Sequence, residues 1–447
     1  MNRKSILAGL LCLAMMSGCG SSGTIQSTTT AAGESAAESV KQEAESTASS
    51  TAAVVNDNRK KPAETNENTA PKPTEISMED FDIRDYKYET MFGTMWFLIV
   101  KNNSDADLAF EFNGTALDAA GNTIGAGTAE IAVLGAGEET VTYFYFEDVT
   151  GIDKVTYQGN YGPSFYKPVL SDLAVEQTIN DGNLTVKVTN NGQYPAQFVE
   201  GCALFMDAEN NVVYYNSTYI TDSDSEIKPG KTLSAQLDVF DDFDHVEFYM
   251  TGRSDGVVSA AAESGISDEN FDIREIRYDN EFATMEYLVI KNNSEKAVEI
   301  TGNATALSAD GSVVGAADCS INVLGPGEES IAYFYFSNVT DVAEVDYSLS
   351  YNEAKYYDPV IKDLGLEVNV NDSNVVVLVT NNGSKPAMFV EAYALFYDAN
   401  NNVVYASSGY VTDSDSEIKP GATLSEQISA YEAFDHVEVY LTGRAER

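Results

Sequence analysis

Apolar residues in this chain come in short runs, each cut off after a few positions by a turn signal. Met95-Trp96-Phe97-Leu98-Ile99-Val100 is one such run, and Asn374-Val375-Val376-Val377-Leu378-Val379 is another. Both are rich in β-branched or aromatic side chains, which suit a pleated, half-buried surface. Beyond residue 75 no stretch sustains an apolar period of 3.6, so the pattern predicts an all-β fold.

The runs and their turns repeat. Phe81-Asp82-Ile83-Arg84 returns at 271–274, Lys101-Asn102-Asn103-Ser104 at 291–294, and Tyr143-Phe144-Tyr145-Phe146 at 333–336, always 190 residues later. From Pro168 and Pro359 onward the offset is 191. Each long repeat divides again, because Asn-Asn followed by Ser or Gly stands at 102, 190, 292 and 381. A second turn aligns Gly121, Asn210, Gly311 and Asn401. Gly and Asn are the residues that tolerate the left-handed backbone of a tight hairpin, so the requirement at this position is geometric. A third turn is Ala136-Gly137, Pro229-Gly230, Pro326-Gly327 and Pro420-Gly421. Pro presets the first central residue of a type II turn, and Gly supplies the positive φ of the second.

Four units of about 90 residues with roughly seven short strands each match immunoglobulin-like β-sandwiches. The expected boundaries are 76–162, 163–255, 268–352 and 353–447, with a linker at 256–267. Ala394-Leu395-Phe396-Tyr397-Asp398, after Asn381-Asn382-Gly383 and before Pro420-Gly421, resembles the FxLYD domain of bacterial surface lipoproteins. Ala203-Leu204-Phe205-Met206-Asp207 resembles it in the second unit, and Ala203 and Ala394 stand where the family has its first Phe. The resemblance covers about 165–252 and 355–444. It implies a small extracellular immunoglobulin-like module and no catalytic residues.

The beginning of the chain differs in kind. Asn2-Arg3-Lys4 is basic, Ser5 to Met15 is mostly apolar, and Met16-Ser17-Gly18-Cys19 looks like the lipobox of bacterial lipoproteins. The apolar run is too short for a permanent span and reads as an export signal, residues 1–18, with Cys19 as the lipidated residue. Acyl chains there would hold the protein to a membrane without a spanning segment. Residues 19–75 are dominated by Ser, Thr, Ala and Glu and cannot offset their ordering entropy, so a disordered stalk is expected. The expected location is extracellular, on the outer face of the bacterial cytoplasmic membrane, and the stalk composition suits a Gram-positive surface.

Charge narrows the partners. The formal net charge is −44, and it becomes more negative once Arg3 and Lys4 leave with the signal. Such a surface repels nucleic acid and anionic lipid, so nucleic acid is excluded and the membrane is reached through the N-terminal lipid only. A protein or cell-wall ligand remains. Cys202 and Cys319 fall at non-equivalent positions of different units, which argues against a disulfide.

Candidate chemistry is sparse. Thr221 to Gly230 reads TDSDSEIKPG and recurs unchanged from Thr412 to Gly421. Asp222, Asp224 and Glu226, with Asp413, Asp415 and Glu417, are therefore calcium candidates. In an extended strand, however, alternate carboxylates lie about 6.6 Å apart and cannot surround one ion. The expected role is an acidic, solvated edge. Gly252-Arg253-Ser254-Asp255-Gly256 matches a nucleophile elbow in letters, but no helix follows it and the one histidine downstream, His436, belongs to a different unit. No catalytic residue, cofactor or metal is expected. Tyr161, Phe165, Tyr166, Tyr351, Tyr356 and Tyr357 lie between half-repeats. They are either a recognition patch, since Tyr offers area with a polar handle, or packing between sandwiches. The expected function is a non-enzymatic interaction module of the envelope. The alternatives are a structural spacer and a calcium-stiffened adhesive stalk.

Overall fold

The computed structural model describes residues 76–180, 182–221, 225–257 and 265–447. The expected signal and stalk with Cys19, residues 258–264 of the linker, and Asp222 and Asp224 lie outside the described residues. What is described is all-β: tandem immunoglobulin-like sandwiches, whose only helical pieces are single 3-10 turns.

The first sandwich contains β1 (Phe81–Thr90), β2 (Gly93–Asn102), β3 (Leu108–Leu117), β4 (Thr123–Leu134), β5 (Glu139–Glu147) and β6 (Lys154–Pro163). They form two antiparallel sheets, β1-β2-β5 and β4-β3-β6. The second contains β7 (Leu173–Asn180), β8 (Asn183–Asn190), β9 (Ala196–Met206), β10 (Val212–Tyr219), β11 (Glu226–Ile227), β12 (Thr232–Asp238) and β13 (His245–Arg253). Its sheets are β7-β8-β12 and a second one in which β9 pairs with β10, β11 and β13. Leu134 faces Leu108 as Ile227 faces Ala196, so β10 and β11 together take the place of β4.

The third sandwich repeats the first with β14 (Phe271–Asp279), β15 (Ala283–Asn292), β16 (Val298–Leu307), β17 (Val313–Leu324), β18 (Glu329–Ser337) and β19 (Glu344–Glu353). Its sheets are β14-β15-β18 and β17-β16-β19. The fourth repeats the second with β20 (Tyr357–Asp358), β21 (Leu364–Asn371), β22 (Asn374–Asn381), β23 (Ala387–Tyr397), β24 (Val403–Tyr410), β25 (Glu417–Ile418), β26 (Thr423–Ser429) and β27 (His436–Glu446). Its sheets are β21-β22-β26 and β20-β27-β23-β24, with β25 beside β23.

The turns take the conformations their residues demand. Gly121, Asn210, Gly311 and Asn401 have φ of 82°, 64°, 83° and 63°. The Gly of each third turn is also left-handed, with φ from 68° to 80°. The first Asn of each Asn-Asn pair does more than turn the chain. Asn190 is buried, and its amide donates to the carbonyls of Tyr194 (2.8 Å) and Ile227 (2.7 Å) while its Oδ1 accepts from Gly192 N–H (2.9 Å). Its own carbonyl accepts the N–H of Gly230 at 2.7 Å, tying the Pro-Gly turn to the strand end.

Each sandwich encloses one apolar cluster, centred on Phe112 and Phe144, on Val186 and Phe205, on Phe334 and Phe336, and on Val377 and Phe396. Two further clusters lie between sandwiches. Leu98 and Val100 of β2 face their own core, whereas Phe97 and Ile99 pack against Cys202, Leu204 and Met206 of β9. The β1-β2-β5 sheet of the first sandwich thus stacks on the β9 sheet of the second. Met285, Tyr287 and Val289 of β15 pack in the same way on Leu395 and Tyr397 of β23. A strand buried on both faces reads as a continuous apolar run, which is why β2 does not alternate.

Cys202 and Cys319 are both free and buried, and burial pushes each thiol up to about 12. No helix among the described residues is long and apolar enough to cross a membrane.

Candidate functional site

The second and fourth sandwiches differ from the other two at one point. Between Asn190 and Asp207 they carry one residue more than between Asn102 and Asp118, and the extra residue bulges out of β9. Register with β13 shifts there, from Thr251 opposite Glu200 to Arg253 opposite Gln197. Phe198 sits on the bulge with φ 51°, and its counterpart Phe389 has φ 50°. A positive φ on a bulky residue is a true outlier and costs roughly 1–2 kcal/mol. Phe110 of the first sandwich corresponds to Val199, and both are buried in their cores, whereas Phe198 is the residue in excess, turned outward and 46% exposed.

The bulge is held from both sides. Phe198 N–H donates to Ser225 O (2.8 Å) and Ile220 N–H to Val199 O (2.8 Å). Lys167 and Ser254 exchange backbone hydrogen bonds beyond the end of β13, which brings Tyr166 over Arg253. The Arg253 guanidinium then lies between two rings, 4.3 Å from the Tyr166 centroid and 4.8 Å from that of Phe198. Arg444 is clamped alike, 4.3 Å from Tyr357 and 4.6 Å from Phe389. Stacking leaves the N–H edge of a guanidinium able to meet an acceptor. Arg444 Nε is buried and has no hydrogen-bond partner among the described residues. Beside the clamps stand Phe165, fully exposed, and its counterpart Tyr356, 76% exposed.

The six aromatic residues between half-repeats therefore separate into three equivalent pairs. Tyr161 and Tyr351 pack against their own sandwich: Tyr161 lies 5.1 Å from Phe81 and its hydroxyl donates to Ile76 O, while Tyr351 stacks on Phe271 at 4.3 Å and donates to Asp268. Tyr166 and Tyr357 are clamp walls. Phe165 and Tyr356 stand free. The tyrosines that do pack between sandwiches are others, among them Tyr215 against Phe97 (4.9 Å) and Tyr333 against Tyr393 (5.9 Å).

The acidic stretch departs from the extended line drawn from the sequence. In the fourth sandwich residues 413–416 form a turn, with Ser416 N–H donating to Asp413 O and Ser416 at φ 61°. The carboxylates of Asp413, Asp415 and Glu417 converge on Lys419 Nζ at 3.7, 3.3 and 3.8 Å. Asp413 also accepts the N–H groups of Asp415 and Glu417, and these bonds lower its pKa. A lysine occupies the centre that a cation would take. Glu226, the described member of the earlier triplet, is buried at the edge of its sheet. Ser254 is fully buried and its Oγ accepts Gly256 N–H.

Arg253 and Arg444 are not among the candidates drawn from the sequence, whose one signal for them is the Thr-Gly-Arg that recurs at 251–253 and 442–444.

No family model matches this sequence, and no curated protein matches it. Solved structures with local similarity include red sea bream transglutaminase, 10% identical over 48% of this chain and 37% of that one, with a TM-score of 0.14. Another is Escherichia coli alpha-2-macroglobulin activated by porcine elastase, 9% identical over 81% of this chain and 44% of that one, with a TM-score of 0.13. The chain thus spans less than half the length of either.

Proposed function

We propose that this protein is a lipid-anchored, extracellular, non-enzymatic interaction module of a bacterial envelope. In this reading Cys19 carries the lipid on the outer face of the cytoplasmic membrane, and FxLYD-like sandwiches present two equivalent sites to a protein or cell-wall ligand. The observation that carries it is the repeated clamp, in which an arginine lies between two rings with an exposed aromatic residue alongside. Strained backbone at Phe198 and Phe389 supports the same assignment, because such strain persists where surroundings impose it and is concentrated at sites of function. A ligand offering a flat apolar face and a hydrogen-bond acceptor fits the clamp, since the ring and the guanidinium edge supply the complements. Two sites on one chain add avidity toward a repeating or clustered ligand.

The test is binding of the full chain to immobilised wall glycans and envelope proteins, with Phe165→Ala and Tyr356→Ala singly and together. Each single change is expected to lower apparent affinity, and the pair to abolish binding at unchanged melting temperature. A wild-type chain that binds nothing on the panel would favour the second reading, a structural spacer. That reading has its own support in the apolar clusters shared between stacked sandwiches, which stiffen the chain.

A further inference from the structure

The seam between the second and third sandwiches is polar, unlike the two apolar stacks. Edge strand β12 lies against the outer face of the β17-β16-β19 sheet. At its centre the Asn303 amide reads the backbone of Ser234: Ser234 N–H donates to Asn303 Oδ1 (2.8 Å), and Asn303 Nδ2 donates to Ser234 O (2.7 Å). The Ser234 and Thr305 hydroxyls meet at 3.0 Å. Gln236 then reaches further in, accepting from Ala316 N–H (3.2 Å) and donating to Ser337 O (2.8 Å). Gly315 makes room for it, because a Cβ there would lie 2.9 Å from Gln236 Oε1. Asn180 closes the seam by donating to Val314 O (3.2 Å).

Both halves of this joint occur a second time, and there each faces solvent. On the first sandwich, 190 residues earlier, Asn113, Thr115, Gly125 and Ala126 stand where the socket has Asn303, Thr305, Gly315 and Ala316. Asn113 is exposed, and these strands line an open hollow of about 850 Å³ floored by β3, β4 and β6. On the fourth sandwich, 191 residues later, Asn371, Ser425 and Gln427 replace Asn180, Ser234 and Gln236. Ser425 lies opposite Leu378 of β22 in the register that places Ser234 opposite Lys187 of β8. Ser234 is 7% exposed, whereas Ser425 and Gln427 are exposed on an edge strand. The same free sheet exposes Leu366, Val368 and Val370 of β21. Edge strands and exposed apolar rows of this kind are where chains pair.

We propose that copies of this chain associate head to tail, with β26 of one copy seated in the β3-β4-β6 hollow of the next, as β12 is seated internally. The internal seam is the template: its donors, acceptors and glycine are all present, residue for residue, on the two free faces. The contact is heterologous, since plug and socket are different surfaces, so it propagates into a chain of copies unless its rotation closes a ring. Because each copy is strongly acidic, repulsion opposes the joint, and salt that screens it strengthens association.

Sedimentation velocity on the full chain at rising concentration and ionic strength tests this. The wild type is expected to gain mass with both. Asn113→Arg, which blocks the socket, and Ser425→Arg, which blocks the plug, are each expected to remain monomeric. Mixed, they are expected to give a dimer and nothing larger, because only one intact joint can form between them. Thr156→Arg and Gln427→Arg form a second socket and plug pair should either first variant lose its wild-type melting temperature. A wild type that is monomeric at the highest concentration and salt overturns the proposal. So does association that survives a blocked socket, which would instead assign self-pairing to the β21-β22 face.

Discussion

Asn190 and its three counterparts show how much a single side chain settles in this fold. Sequence reading took Asn-Asn as a turn signal, and the chain does turn there. What the letters hid is that the first Asn is buried, with its amide spanning two backbone carbonyls. An unmet buried polar group costs about 1–3 kcal/mol, which explains why all four units keep the residue. Asp398 works at the next turn by the same logic but in water. Its carboxylate accepts the N–H groups of Asn400 (2.8 Å) and Asn402 (2.9 Å) and the Asn402 side-chain amide (2.9 Å). Those bonds favour the charged form and hold its pKa down to about 2, below the ordinary aspartate value of 3.8. A depressed carboxyl contributes stability that is present above the unfolded value and is lost as pH falls through the folded one. Asp398→Ala is therefore expected to melt earlier than wild type at neutral pH, with the gap closing between pH 3.8 and about 2. Thermal melts across that range decide it, and a gap that persists at the acid end refutes the assignment.

Among elements, the bulged strands β9 and β23 carry what distinguishes the even sandwiches. Period and turn residues were enough to expect short strands and corners, because alternation and positive φ are local properties written in neighbouring letters. The clamp was not legible, because Tyr166, Phe198 and Arg253 meet only through a one-residue bulge and a bridge beyond β13. The acidic stretch was misjudged in shape for a related reason. Three acids at alternate positions read as an extended line, yet the positive φ of Ser416 folds them around Lys419. The ammonium and the backbone N–H groups already satisfy these carboxylates, so a calcium ion would have to displace a bound cation. Calcium and a chelator are accordingly expected to give the same melting temperature for the wild type. In Lys419→Met the same acids lose their internal counterion, and calcium is expected to raise the melting temperature of that variant. Calcium-dependent stabilisation of the wild type would show that the lysine gives way.

Across the whole described chain the three junctions differ in kind, and the difference sets how the molecule should unfold. The first and second sandwiches share Phe97, Ile99, Leu204 and Met206, and the third and fourth share Met285, Tyr287 and Leu395. Each such side chain contributes about 1.5–3 kcal/mol when buried, so neither partner can open without exposing the other's outer sheet. The middle seam is held by hydrogen bonds from Ser234 and Gln236, each worth about 0.5–1.5 kcal/mol net. Coupling should then be tight within a pair and loose between pairs. Leu204→Ala removes a fully buried side chain from the first shared cluster and is expected to cost about 2–5 kcal/mol. Leu204 belongs to the second sandwich, yet slow amides of β3 and β6 in the first should lose protection in step with those of β8. Amides of β22 and β26 in the fourth should change little, because the disturbance would have to cross the polar seam. Hydrogen exchange read by mass spectrometry distinguishes the cases. Loss confined to the second sandwich would mean that the shared cluster does not bind the pair into one cooperative body, and equal loss in all four would mean that the polar seam couples as strongly as the apolar stacks.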